Sequence, residues 1–149
     1  MGSELSGGCR CGEVRYRLAA SAMPPVYCCH CLDCQTWSGT AFTQQVVVME
    51  SQIEVTQGET VTYRRTNESG AVSTQQFCGT CHTRLWNTNS RRPEGAVLRA
   101  GTLDASETLS PRAHIWVKRK QPWIMIADGV PSWPESPPPG EFAAVLRNI

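Results

Sequence analysis

The sequence predicts a mainly β domain, and three observations carry that prediction. Apolar and polar residues alternate with period two in several short runs, a sustained 3.6-residue period is scarce, and cysteines cluster at metal-ligand spacings. The 149 residues fall within the usual length of one domain and can enclose a hydrophobic core. The expectation is therefore a single zinc-binding domain over residues 1–149, with a proline-rich C-terminal tail over 132–149.

The first strand is expected in Gly12–Leu18, where alternation puts Val14, Tyr16 and Leu18 on one face. Phe42–Met49 is a β-rich run, and Gln52–Thr56 and Thr60–Arg65 alternate about a turn at Gly58. Val72–Phe77, Thr83–Asn87 and Ala96–Leu103 continue the series. His114–Val117 and Trp123–Ile126 read as short late strands flanking Lys118-Arg119-Lys120-Gln121-Pro122. Helix is expected only for about a turn after Cys34 and over Phe142–Arg147, beyond an extended Trp133–Gly140 segment with four prolines.

With 40% apolar and 18% charged residues, the composition is that of an ordinary globule. A formal net charge of +1 argues against nucleic acid or a membrane surface as partner. No apolar run reaches membrane-spanning length. Met1–Gly7 has neither a basic start nor an apolar core, so no secretory signal and a cytoplasmic location are expected.

Seven of the eight cysteines form three groups: Cys9 and Cys11; Cys29, Cys31 and Cys34; Cys78 and Cys81. In a reducing compartment such clusters read as metal ligands rather than disulfides, and a Cys-x-Cys disulfide would be strained. Cys78-Gly79-Thr80-Cys81 has the form of a zinc knuckle, with His82 where glycine is expected. Histidine tolerates a left-handed backbone better than most residues. Cys9 and Cys11 can complete a four-cysteine, closed and structural set. In the middle group Cys29 and Cys31 face one side of an extended stretch, Cys28 and His30 the other, and Cys34 swings back through a turn. Three thiolates leave a tetrahedral position open for water or substrate. Alternatively Cys28, His30, His82 or Asp33 fills it to make a second structural site, or the thiols act without metal. Cys28 itself reads as a buried, small apolar residue.

These motifs resemble the family of glutathione-dependent formaldehyde-activating enzymes, whose domain is shared with centromere protein V. Gly7-Gly8-Cys9-Arg10-Cys11-Gly12 matches the opening pattern, and Cys29-His30-Cys31-Leu32-Asp33-Cys34 with Ser38-Gly39-Thr40-Ala41-Phe42 the second. Phe77-Cys78-Gly79-Thr80-Cys81 matches the knuckle. His114-Ile115-Trp116-Val117, Pro122-Trp123 and Asp128-Gly129-Val130-Pro131 match the late elements, so the resemblance implies a domain core of about residues 7–135. The resemblance implies a β-tent fold of several small antiparallel sheets stapled by zinc. It also implies two zinc ions per chain, a structural one on Cys9, Cys11, Cys78 and Cys81 and a labile one on Cys29, Cys31 and Cys34. The activity implied is carbon–sulfur lyase chemistry on thiol–aldehyde adducts, of the S-hydroxymethylglutathione synthase kind, with Cys29, Cys31 and Cys34 as the catalytic open site. Its partners are a small thiol such as glutathione and an aldehyde, formaldehyde in the founding activity; a homo-oligomer is left open. The chain departs from the family pattern at Gln35 and Thr36, where many members carry basic residues, and at His82.

The rival reading is a non-catalytic zinc-stapled module that binds a thiol or a partner. Other residues carry lesser expectations. His114 is a hydrogen-bonded packing residue or an acid/base, and Trp37 a pocket wall or core. Trp116 and Trp123 read as core, Lys118-Arg119-Lys120 as an exposed hairpin tip, and Asp128 as a turn former.

Overall fold

The structure, a computed structural model, describes residues 4–147. Ten strands and two α-helices account for its regular elements. In chain order these are β1 (Glu4–Gly8), β2 (Arg15–Ala19), β3 (Val26–Cys29), α1 (Leu32–Ser38), β4 (Thr43–Met49) and β5 (Ile53–Gln57). There follow β6 (Thr60–Thr66), β7 (Val72–Cys78), β8 (Arg84–Asn89), β9 (Arg92–Arg99), β10 (Pro111–Ile115) and α2 (Pro139–Arg147). The protein is thus mainly β, as its alternation predicts. No helix among the described residues is long and apolar enough to cross a membrane. The chain divides into two compact units, one of residues 1–24 and 46–108, the other of residues 25–45 and 109–149.

In the first unit β2 lies between β1 and β5 in a three-stranded antiparallel sheet. Val14, Tyr16 and Leu18 are buried as their alternation requires, at 0%, 1% and 0% exposure. The Tyr16 hydroxyl is satisfied by Thr102 Oγ1 at 2.7 Å, and burial pushes the phenol up to about 12. Gly7 makes room for this ring, because a Cβ there would lie 2.4 Å from the Tyr16 oxygen. Strands β6, β7, β8 and β9 form an antiparallel meander in the same unit, with Leu85 and Leu98 fully buried.

In the second unit β3 is central. It pairs antiparallel with the start of β4 and parallel with β10, so residues distant in sequence flank the cysteines. Every residue of β3 is buried, which is the signature of a strand covered on both faces. Helix α2 closes this unit through Phe142, whose ring meets Tyr27 edge-on at 4.9 Å and Trp133 at 5.9 Å.

Several boundaries move from their expected places for identifiable reasons. Residues 123–126 form no strand. The Ile124 amide turns back to the Gln121 carbonyl at 3.1 Å, and Lys120 Nζ donates to the Ile124 carbonyl at 2.8 Å. Trp123, expected in the core, is 69% exposed, and only Ile124 of this segment is buried. Strand β9 begins earlier than expected and stops at Arg99, where Thr102 Oγ1 donates to the Arg99 carbonyl and a 3-10 turn begins. The last strand ends before Trp116, whose φ of 60° breaks the extended backbone. Lys118-Arg119-Lys120 lies on and beside the 3-10 turn Val117–Arg119 rather than at a hairpin tip.

Candidate metal centres

The four-cysteine group is built from two turns of the first unit. Cys78 ends β7, and the chain folds over on itself as a knuckle: the His82 amide reaches the Cys78 carbonyl at 2.9 Å and His82 takes φ 63°. That is the left-handed conformation expected for the glycine it replaces. The fold points the amides of Thr80 and Cys81 at Cys78 Sγ, at 3.4 and 3.5 Å. On the facing turn the Gly12 amide bonds the Cys9 carbonyl at 3.1 Å, with Gly12 at φ 82°, and the Val14 amide donates to Cys9 Sγ at 3.2 Å. Thr83, through its hydroxyl and then its backbone, holds the Cys81 thiol down at about 5. Donors aimed at sulfur favour the thiolate form, which is the form that binds metal.

The ligand atoms of Cys9, Cys11, Cys78 and Cys81 lie within 4.8 Å of one another. Cys9 Sγ is 3.5 Å from Cys11 Sγ, and Cys11 Sγ is 3.9 Å from Cys78 Sγ. A tetrahedral ion with sulfur at about 2.3 Å has edges of about 3.8 Å. The Cys9–Cys11 and Cys11–Cys78 separations lie on either side of that edge, so the cluster is of a size that suits such an ion.

The three-cysteine group is built from β3 and α1 of the second unit. Cys29 is the last residue of β3 and Cys31 is the N-cap of α1. One turn of helix brings Cys34 back, its amide donating to Cys31 Sγ at 3.4 Å. Ser38 Oγ to the Cys34 carbonyl, at 2.7 Å, and Gly39 at φ 68° terminate this short helix. The three Sγ atoms again lie within 4.8 Å of one another, with Cys29 and Cys34 buried and Cys31 half-buried. Among the described residues no fourth His, Cys, Asp or Glu joins them, so Cys28, His30, His82 and Asp33 stay outside the set. The Cys31 and Cys34 sulfurs, with burial, push the Cys29 thiol strongly upward, because thiolates crowded together in a dry site repel. A cation is what such a group lacks to ionise fully.

Several neighbours of this group take definite roles. His30 is fully buried; its Nε2 meets His114 Nδ1 at 2.9 Å and its amide bonds the Ile115 carbonyl at 3.0 Å. Burial, then the positive charges that His114 and Lys120 can carry, pull His30 down to about 4, and burial also lowers His114. His114 is thus a buried, hydrogen-bonded residue of β10. Gln35 spans two carbonyls with its amide, donating to His30 O at 2.8 Å and Arg119 O at 2.9 Å. Cys28 is buried and its thiol is pushed up to about 12 by desolvation, as a packing residue. Lys118 is paired with Glu135, Trp37 is 38% exposed on α1, and Asp128 precedes the Gly129 turn.

Sequence reasoning missed Gln45. Its amide is 6% exposed and donates to Cys34 Sγ at 3.4 Å and to Thr43 Oγ1 at 2.7 Å. Alternation within Phe42–Met49 places Thr43 and Gln45 on one face, but nothing local says that the face meets a cysteine eleven residues earlier.

The family described as glutathione-dependent formaldehyde-activating enzyme matches residues 4–119. A Halomonas elongata protein that carries that same name provisionally is 27% identical over 126 residues, covering 82% of this chain and 80% of its own. A crystal structure of a Rhodobacter sphaeroides protein superposes with a TM-score of 0.53 at 18% identity, over 72% of this chain and 92% of the other. That likeness speaks to the fold alone.

Proposed function

Because the chain belongs to the glutathione-dependent formaldehyde-activating enzyme family, we propose that it is a zinc-dependent carbon–sulfur lyase that joins a small thiol, glutathione for preference, to formaldehyde and reverses that addition. The observation that carries this reading is the three-cysteine group with no fourth ligand among the described residues. Two zinc ions per chain are proposed, a structural one on Cys9, Cys11, Cys78 and Cys81 and a labile one on Cys29, Cys31 and Cys34. In this reading residues 1–149 work as one zinc-stapled domain of the β-tent kind, in the cytoplasm.

In the forward direction the sulfur of the thiol bonds to the aldehyde carbon, the C=O bond becomes a C–O single bond, and the thiol proton ends on that oxygen. Nothing is oxidised or reduced. A bound zinc would supply an open coordination position at which a thiol ionises. Cys29, Cys31 and Cys34 would hold the ion and, as thiolates, would leave it electron-rich, which suits delivery of a thiolate better than strong polarisation of a carbonyl. Burial of His30 and His114 keeps both imidazoles neutral at pH 7, so the site gains no positive charge from them. Gln35 fixes the His30 carbonyl and thereby the turn that carries Cys29 and Cys31.

The test pairs metal analysis with product detection. Zinc-loaded protein with glutathione and carbon-13 formaldehyde should accelerate appearance of the S-hydroxymethyl resonance, and Cys31→Ser should abolish that acceleration while retaining the other ion. Full metal loading without any acceleration across thiols would instead identify a binding module.

A further inference from the structure

We infer that Gln45 is a positioning residue of the three-cysteine centre, its buried side-chain amide acting as a dedicated hydrogen-bond donor to the Cys34 sulfur when that sulfur is a metal-bound thiolate. The inference rests on the metal reading proposed above, and it adds the group that tunes one ligand from behind. Antiparallel pairing sets Thr43 opposite Cys29 and Gln45 opposite Tyr27, so Thr43 and Gln45 share the face of the ladder that carries Cys29. From that face the Gln45 amide nitrogen lies 3.4 Å from Cys34 Sγ and 2.7 Å from Thr43 Oγ1. Two amide protons thus meet two acceptors. The Thr43 hydroxyl holds the amide with its NH2 end towards sulfur.

The chemistry argues that this arrangement serves a thiolate. An amide in a dry site costs stability unless its donors are used, and a neutral thiol is a poor acceptor. Gln45, Thr43 and Cys34 are 6%, 8% and 7% exposed, so water does not compete for these bonds. Against an anionic sulfur the same N–H becomes charge-assisted and strong. It withdraws electron density from that sulfur, offsetting part of the repulsion among three thiolates. It also fixes the side-chain direction of Cys34, which the short helix α1 alone would leave free to turn. Groups of this kind behind a metal ligand typically change affinity by about 10–100-fold.

Cobalt loading of the full chain tests this directly. In Gln45→Met, which keeps the volume and removes the donor, the sulfur-to-cobalt charge-transfer band of the three-cysteine centre should move to longer wavelength, since the sulfur lone pairs are no longer stabilised. Affinity of that centre, measured by chelator competition, should fall about tenfold. Thr43→Val should move both readouts the same way by less, because the amide is then unanchored. The four-cysteine centre of the same molecule reports folding: its ion should be retained in every variant, and if Gln45→Met fails to keep it, Thr43→Val decides. An unchanged band in the variant that retains its fold would overturn the inference and leave the metal reading intact. Absence in wild-type protein of any band that Cys29→Ser removes would overturn both.

Discussion

The two cysteine centres hold similar sulfurs in different ways. At the four-cysteine centre backbone amides of two turns and the hydroxyl of Thr83 point at the sulfurs, all fixed by the local chain. At the three-cysteine centre one sulfur receives a backbone amide and another a side-chain amide from a neighbouring strand, and among the described residues the set stops at three. Turn-built sulfurs are fixed wherever the turn forms. A centre completed by side chains can be adjusted, and one with a free corner can exchange what it binds. In the function proposed above, that difference would separate a part that holds the fold from a part that does chemistry.

The most severe way to break that comparison is to remove one ligand from each centre. Cys78→Ser should cost most of the folding energy, since a structural site contributes about 10–16 kcal/mol of binding free energy. Loss of strand dichroism or of soluble protein checks it. Cys31→Ser should leave a cooperative unfolding transition near that of wild type with one ion fewer. Equal collapse of both variants would make both centres structural. Without mutation, a mild chelator should strip one ion per chain at least about tenfold faster than the other, as followed by a zinc-sensitive dye. Parallel release would erase the distinction.

Smaller effects sharpen it within the first unit. Tyr16 titrates at about 12 in the folded protein against 10.0 as the ordinary value, so between those pH values the unfolded chain has lost a proton that the native one keeps. Its contribution is fully present below about pH 10 and is lost as pH rises through about 12, a fall of about 3 kcal/mol. Urea unfolding at pH 9 and 11 should show this slope, and Tyr16→Phe should flatten it. Smallest of all, His82→Gly should stabilise the knuckle by about 0.5–1 kcal/mol, relieving a left-handed backbone at φ 63°. A lower denaturation midpoint would show that the imidazole itself contributes there.

How much of this was legible in the sequence depended on distance along the chain. Alternation located β2, β5 and β6, a β-branched run located β4, and the series of short strands extended to β7 and β8; Val14, Tyr16 and Leu18 face inward as written. Cysteine spacing grouped the two sets of sulfurs, and His82 took the backbone its position requires. What failed was non-local. Strand β1, Glu-Leu-Ser-Gly-Gly, has no pattern of its own and exists through pairing with β2. Trp123 looked like core because it is aromatic, yet it lies in a turn held by Lys120. His114 beside His30, and Gln45 behind Cys34, follow from register between β3 and its two neighbours, which no single segment encodes.

Parallel pairing of β10 with β3 has a consequence for synthesis. Cys29, Cys31 and Cys34 leave the ribosome early, whereas His114 follows His30 by 84 residues. At about 5–20 residues per second that gap lasts roughly 4–17 s. During it β3 lacks its β10 edge, while residues 46–108, which form most of the first unit, are being made. The newborn chain therefore carries its three clustered thiols before β3 has gained that second neighbour. If the cluster takes metal as proposed, the reducing power and metal supply around the ribosome would bear on how many chains reach the finished state.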